Sequence, residues 1–338
     1  MSAATLRSEF PVLARLAYLN AGTDGPVPRR AQEAAARELA AQAEEGRFTP
    51  HFERRFALQD ALREAYAGLL GTGTDDVALT TSTSEGLGKV LAGMDLGPGD
   101  EIVTSDAEHP GLIGPLIAAR DRGVAIRPVP FEQLADAVGP RTTLVACSHV
   151  NWRTGQIAPA GLAEVDVPVL YDGAQGVGAV PVDVAKLRCA AYAGSGQKWL
   201  CGADGTGMLY IAPAFRDRVR AIAPAYMGFE DASRGFESPL RPNARRYDTP
   251  SLAREIVAFS ATALEVLRDA DFGAVLARGP ALAEGLAERL ADHGRTVAPR
   301  DHTTLVAWED DDPEATRDRL AAEGIVIRNL PGTPLLRA

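Results

Sequence analysis

VPVLYDGAQGVGAVPVD, residues 167–183, is an apolar run that ends in a carboxylate, Asp172, and breaks at once into glycines. Its apolar positions do not alternate with polar ones, which is the pattern of a strand covered on both faces in a parallel sheet. Outward from it the pattern repeats. Asp76–Thr80, Glu101–Ser105, Val124–Val129, Thr143–Ser148, AAYAG at 190–194 and Met208–Ile211 read as further buried strands. Ser84–Met94, Leu112–Arg122 and Phe131–Val138 read as the helices between them. LGPGDE, residues 96–101, punctuates the approach to the second strand. This alternation predicts an α/β fold, a large domain whose mainly parallel sheet is flanked by helices.

Two helices, Arg30–Glu45 and Phe52–Leu70, precede the sheet pattern. Residues 224–250 are rich in Gly, Pro and Arg and read as a long loop, which in a compact protein is more often functional than idle. Amphipathic helices Ser251–Asp269 and Phe272–His293 follow, then strand Thr303–Trp308, helix Pro313–Glu323 and strand Ile325–Arg328. The expected organisation is an N-terminal segment (1–20), a large domain (21–250) and a small C-terminal α+β domain (251–338). LLRA at the chain end reads as an uncapped strand, and the small domain as truncated there.

The chain has 338 residues, 46% of them hydrophobic and 24% charged, and a net charge of −10. This is a globular composition, and the acidic balance disfavours a nucleic-acid partner, which needs clustered cations against phosphates. The arginines stand beside Glu and Asp along helices, as in LAERLADHGR, and read as solvated faces. The three cysteines, Cys147, Cys189 and Cys201, lack CxxC spacing, and the five histidines are dispersed, so neither a disulfide framework nor a zinc site is expected. No secretory leader and no apolar run of about 18 residues is present, and a reduced, cytoplasmic, membrane-free protein is expected. No strand is followed by GxGxxG, and GTGTDD lacks the third glycine, which argues against a nicotinamide enzyme.

Only three of the 35 basic side chains are lysines, Lys89, Lys186 and Lys198. Lysine, unlike arginine, can lose its proton when desolvated and attack a carbonyl. Lys89 and Lys186 read as surface-helix residues without chemical neighbours. Lys198 lies in SGQKW, 26 positions after Asp172 and after one more strand. A carboxylate and a lysine at the ends of neighbouring strands are the two groups a pyridoxal phosphate site requires. The lysine forms the Schiff base and the carboxylate keeps the pyridine nitrogen protonated. TTSTSEG, residues 80–86, supplies a phosphate cradle, because Ser82, Thr83 and Ser84 offer hydroxyls and N–H groups where a helix begins. The same residues also read as a capping box, Ser82 with Glu85.

With DGAQ (172–175) and SGQKWLCGADGTGMLY (195–210) at this spacing, the chain resembles the class V aminotransferases. These are fold-type I pyridoxal-phosphate enzymes, a branch that includes cysteine desulfurases, kynureninases and isopenicillin N epimerase-like proteins. The resemblance implies that Lys198 carries the cofactor, Asp172 pairs with its ring nitrogen, and Gln175 lies near its phenolic oxygen. It implies that His109, in AEHPG, stacks on the ring, and that Ser195 and Gln197 join Ser82, Thr83 and Ser84 around the phosphate. Ser82 stands where glycine is usual, and Gln197 where histidine is more common. From HVNWRTG it implies that Asn151 and Trp152 line the site. From RRYDTP it implies that Thr249 reaches the neighbouring subunit's phosphate, with Asp248 where glycine is usual. Arg337 of LLRA would clamp the substrate α-carboxylate, and Asn20 and Ala21 would border the pocket. A homodimer with interfacial sites is implied, with Arg241–Tyr247 crossing between subunits.

The expected function is a pyridoxal-phosphate enzyme acting on an α-amino acid or similar metabolite, an aminotransferase or a C–S or C–C lyase. The alternatives are an epimerase or racemase of the same family and a cofactor-binding protein without catalysis. Cysteine desulfuration is disfavoured, because IRNLPGTPLLRA has no cysteine ahead of Arg337 and the three cysteines read as packing residues.

Overall fold

The computed structural model describes residues 3–338. Helices α1 (Ala3–Ser8), α2 (Arg29–Glu45) and α3 (Thr49–Leu70), with the short strand β1 (Ala17–Tyr18), precede the sheet. Its strands are β2 (Val77–Thr80), β3 (Glu101–Ser105), β4 (Ala125–Val129), β5 (Thr142–Ser148), β6 (Val169–Asp172), β7 (Ala191–Ser195) and β8 (Gly207–Ile211), in the spatial order β2-β8-β7-β6-β5-β3-β4. Helix α4 (Thr83–Gly93) follows β2 and α5 (Pro110–Arg120) follows β3. All strands run parallel except β8, which pairs antiparallel with both neighbours. The α/β expectation with a mainly parallel sheet therefore holds.

Strand pleating divides the core. Val77, Leu79, Val103, Val145, Cys147, Val169 and Tyr171 enter one hydrophobic layer, and Ala78, Ile102, Leu144, Ala146 and Leu170 enter the other. Successive side chains point to opposite faces, so a strand apolar at every position fills two layers at once. The reversal of β8 has a local cause. Residues 196–206 join it to β7 without a helix, and a parallel return needs a crossover of a dozen or more residues. Lys198 is thereby carried on a hairpin connection.

Phe131–Val138 is not an α-helix. It holds a 3₁₀ turn, Phe131–Gln133, and its buried residues Phe131, Leu134 and Ala137 recur every third position, the 3₁₀ period. Helix α6 (Arg254–Asp269) packs on α2 and α3, with Val257 and Leu264 in the first core layer. Helix α7 (Phe272–Asp292), strand β9 (Ala307–Glu309) and helix α8 (Pro313–Ala322) follow. The expected single strand Ile325–Arg328 is divided. Strand β10 (Ile325–Val326) pairs with β1, whereas β11 (Arg328–Asn329) joins β12 (Leu335–Arg337) and β9 in a three-stranded sheet. The N-terminal segment is thus sewn onto the C-terminal part of the chain. Among the described residues no helix is long and apolar enough to cross a membrane.

Asp248, the departure from the family pattern, closes the open edge of the sheet. Its carboxylate accepts Arg63 Nη1 and Nη2 at 3.0 and 2.8 Å and the Leu79 N–H at 2.9 Å, and Arg63 also donates to the Val77 carbonyl. The Thr249 N–H donates to the Leu79 carbonyl. These groups satisfy the backbone of β2 where another strand would otherwise pair. Arg63 and Asp248 are 1% and 4% exposed. Asp248→Ala leaves a buried guanidinium without its partner, and urea unfolding is expected to show a loss of about 3–5 kcal/mol. An unchanged midpoint would disprove the edge-sealing role.

Candidate active site

The carboxyl ends of β3, β5, β6 and β7 meet at one side of the sheet, the place where open α/β sheets bind ligands. There, a cavity of about 170 Å³ is lined by Ser82, Thr83, Ser84, His109, Trp152, Asp172, Gln175, Ser195, Gln197, Lys198 and Arg337. It also meets Gly22, Thr23, Ala174 and Arg328, which the sequence reading did not single out. Four expected residues stand apart from that lining. Asn151 caps its own turn, accepting the Arg153 and Thr154 N–H groups. Ala21 faces an adjacent apolar cleft with Trp199 and Leu282. Asn20 is half-buried and its Oδ1 has no partner. The Thr249 hydroxyl donates to Glu85 in α4.

Lys198 is carried into this cavity by the β7–β8 connection. Burial pulls its ammonium below the ordinary lysine range, and Arg337 pulls the same way, while Asp172 opposes them. The result is an amine that gives up its proton more readily than a surface lysine. Asp172, 4% exposed, ends β6 and accepts the Ala174 N–H at 2.9 Å. Burial raises its carboxyl pKa against the lowering by Lys198 and that N–H. The other two lysines are engaged elsewhere. Lys186 is exposed and pairs with Asp183. Lys89 departs from the surface reading: its Nζ meets Glu85 at 2.8 Å and the Tyr247 carbonyl at 2.6 Å, tying α4 to the loop before Asp248.

The start of α4 forms the cradle. Ser82 is the N-cap, its Oγ accepting the Glu85 N–H at 3.1 Å, and Glu85 reaches back to the N–H and hydroxyl of Thr81. The capping box and the cradle therefore coexist, because Thr83 and Ser84 at the first two helical positions keep N–H groups without intrahelical acceptors. Among the described residues, the Thr83 and Ser195 hydroxyls are buried with no partner. Orphaned hydroxyls converging on a helix N-terminus fit a phosphate. The buried amine, the opposed carboxylate and this cradle together fit pyridoxal phosphate.

His109 is the N-cap of α5, its Nδ1 accepting the Gly111 N–H at 3.0 Å, and its ring meets Trp152 edge-on at 5.1 Å. Burial, with Lys198 and both arginines nearby, pushes its pKa down to about 4, so it is neutral at physiological pH. Trp152 is fixed in turn by a bond from Nε1 to the Ala107 carbonyl. Gln175 accepts Trp199 Nε1 and donates to the Gly22 carbonyl at 2.6 Å, which locks it in place. Glu108, the residue before His109, is 2% exposed and accepts the Ser105 hydroxyl and the N–H and hydroxyl of Ser148. Burial raises it to about 7.

The fold and this donor set define a fold-type I pyridoxal-phosphate enzyme. The aminotransferase class-V family matches residues 18–333, and the chain belongs to that family. Isopenicillin N epimerase from Streptomyces clavuligerus is 30% identical, over 93% of this chain and 81% of its own. A probable cysteine desulfurase from Methanothermobacter thermautotrophicus is 30% identical over 61% of this chain, and the match spans only 56% of that relative. Among solved structures, a lysine-to-alanine mutant of C-DES with glycine covalently linked to the cofactor superposes with a TM-score of 0.89. It is 28% identical and covers 98% of this chain and 94% of its own. C-DES in complex with cysteine persulfide, described as a cystine C–S lyase, gives a TM-score of 0.88 at 27% identity, covering 97% of this chain and 94% of its own.

Two predictions follow from His109 and Glu108. His109→Ala is expected to weaken cofactor binding roughly 3- to 10-fold by fluorescence titration, and His109→Phe to keep it, because the neutral ring acts as a flat face. The phenylalanine variant loses the helix cap, about 1 kcal/mol of stability. For Glu108 the folded-state value near 7 exceeds the ordinary carboxylate value, so its stability contribution is full below about pH 4.5 and fades as pH rises toward 7. His109 and His149, both lowered to about 4, act oppositely, losing stability as pH falls from 6.5. The difference between wild type and Glu108→Gln in urea unfolding from pH 4.5 to 7.5 isolates Glu108. A pH-independent difference refutes this assignment.

Proposed function

We propose that this chain is an amino-acid-transforming enzyme of its family, with Lys198 as the covalent attachment point and proton carrier and Arg337 as the α-carboxylate anchor. The observation that carries the reading is the convergence of the one desolvated lysine, the buried Asp172 and an unsatisfied hydroxyl cradle on a single cavity. When bound, pyridoxal phosphate supplies a ring that withdraws electrons from the substrate Cα. Asp172 would hold the charge of the ring nitrogen, His109 would pack on the ring, and Thr83, Ser84, Ser195 and Gln197 would hold the phosphate. Lys198 Nζ would hold the group and would carry the proton at the substrate Cα, a task its lowered pKa suits. Arg337, 3% exposed, aims its guanidinium from β12 and suits a carboxylate in a fork.

Carbon–sulfur or carbon–carbon bond cleavage and transamination are the outcomes favoured, with epimerisation as the second reading, supported by the Streptomyces relative. A persulfide carried on the chain's own sulfur is disfavoured. Cys147, Cys189 and Cys201 are buried, their thiols are pushed up by burial, and none lines the cavity. A homodimer is part of the proposal. Ile222, Tyr226 and Phe236 in the segment after β8, and Phe48 and Phe52 near the start of α3, present exposed apolar surface of the kind a subunit interface covers.

Incubating the loaded protein with a panel of amino acids, while following cofactor absorbance and assaying keto acid, ammonia, sulfide and optical rotation, identifies the reaction. Keto acid without ammonia marks transamination, and both together mark elimination. Lys198→Ala is expected to lose the borohydride-fixed cofactor adduct. A variant that still forms it overturns the reading. Arg337→Ala is expected to raise KM about 10- to 100-fold.

A further inference from the structure

Helix α5 and the edge strand β4 enclose a second cavity, of about 310 Å³, whose lining shares no residue with the cavity at Lys198. Its walls are apolar. Helix α5 buries Leu112, Leu116 and Ala119, while Ile113 and Ile117, one turn apart on its next stripe, stay 40% and 43% exposed. Ile126 and Pro128, two residues apart on one face of β4, form the other wall. Strand β4 leads into the 3₁₀ turn at Phe131 rather than into a helix, which leaves this stripe uncovered.

The cleft turns polar at the carboxyl end of β3. Thr104, 4% exposed, lies on the strand face that also carries Ile102, where a sealed core would take valine. Among the described residues its hydroxyl has no partner, and Pro128, its register neighbour in β4, has no N–H to offer. Glu108, 2% exposed, lines the same cleft. No described lysine or arginine meets Glu108 within ion-pair distance, whereas Glu101 at the other end of β3 meets Arg127 and Arg141. Burial penalises the Glu108 charge, and a nearby acid, Asp172, adds to the penalty. Asp106, in the turn after β3, is exposed and adds a further negative charge at this end. Arg120 stands at the far end of α5 and is paired with Asp121.

We propose that the cleft between α5 and β4 is a second ligand site, and that it takes a small amphiphilic amine with a branched or aromatic apolar body. Apolar walls with a few convergent polar groups are the pattern of small-molecule sites. The body covers the exposed isoleucines, and the ammonium gives an N–H to Thr104 Oγ1 and its charge to Glu108. A neutral alcohol would satisfy the hydroxyl and leave the carboxylate without a counter-charge, and an anion would meet Glu108 and Asp106 with like charge. The site stands apart from the chemistry at Lys198 and does not depend on which reaction occurs there.

The probe is N,N-dimethylbenzylamine, a cation at neutral pH that cannot condense with a carbonyl and so leaves the cofactor alone. Calorimetry on the cofactor-loaded protein compares it with benzyl alcohol, which keeps the ring and the hydrogen bond but not the charge, and with benzoate. The amine is expected to bind about 10- to 100-fold more tightly than the alcohol, and benzoate to give no saturable heat. Glu108→Gln is expected to bring amine and alcohol to within about twofold, and Thr104→Val to weaken both. Ile117→Arg, an outward change at the mouth of the cleft, is expected to abolish the binding of either. Circular dichroism checks folding, and if Glu108→Gln does not fold, Thr104→Val and Ile117→Arg carry the test. No saturable binding of the amine by the wild type overturns the proposal. So does an alcohol bound as tightly as the amine, or an amine affinity that Ile117→Arg leaves unchanged, which would place the amine elsewhere.

Discussion

Holding an amine opposite a carboxylate where burial penalises both charges is the constraint on which the rest of this structure depends. Each charge alone would cost several kcal/mol to desolvate, and a loosely held pair would gain water or drift apart. The scaffold answers by ending β6 at Asp172 and β7 at Ser195, side by side, so the backbone of two hydrogen-bonded strands sets where the carboxylate and the following lysine connection begin. Strand register is rigid in a way that a surface loop is not, and it places chemistry where the reactants meet.

The glycines around Asp172 serve the same constraint. A Cβ at Gly173 or Gly176 would run into the Tyr192 ring, and one at Gly25 into the Lys198 carbonyl. Only a bare backbone lets DGAQG fold over β7 and lets the N-terminal loop close against the lysine. The consequence is a tight seam between the first residues of the chain, the centre of the sheet and its last strand. Thr23 sits on that seam, reached by Arg328 and Arg337 from the C-terminal sheet, while the neighbouring Gly22 carbonyl receives Gln175. Two parts of the chain separated by some three hundred residues thus shape one pocket.

How much of this was legible beforehand depends on the kind of signal each element leaves. The buried strands, the pairing of Asp172 with Lys198 and the cradle at α4 were readable, because apolar runs, a carboxylate at a strand end and a hydroxyl-rich helix start carry local patterns. Arg328 was not. Its partnership with Arg337 is a matter of register across the turn LPGTP, and only counting outward from that turn would have opposed the two arginines. The role of Asp248 was equally hidden, since a departure from a family glycine gains its meaning from Arg63, an α3 residue 185 positions away. Lys89 looked like a surface lysine because helix periodicity does not reveal that a later loop folds over it. The false helix at Phe131 came from reading a three-residue period as part of a 3.6-residue one.

Arg337 and the orphaned hydroxyls carry the same physical lesson as Lys198. Each is a buried group whose natural partner is not in the chain, and each lowers the stability of the empty fold. A protein selected for stability alone would replace them with apolar residues of similar volume, often without loss. Retaining them places the favourable interactions in the complex. On the proposed reading, a phosphate on the Thr83 and Ser195 hydroxyls, a carbonyl carbon on Lys198 and a carboxylate on Arg337 would each return what burial took away. The edge-sealing pair Arg63–Asp248 is the contrasting case. It is also buried and ionic, but both Nη groups of Arg63 and both carboxylate oxygens of Asp248 are paired within the chain, and the pair holds β2 where α4 begins. Charge paired with charge inside the chain, as in Arg63–Asp248, thus serves the fold, whereas Arg337, buried without a carboxylate partner among the described residues, belongs with Lys198.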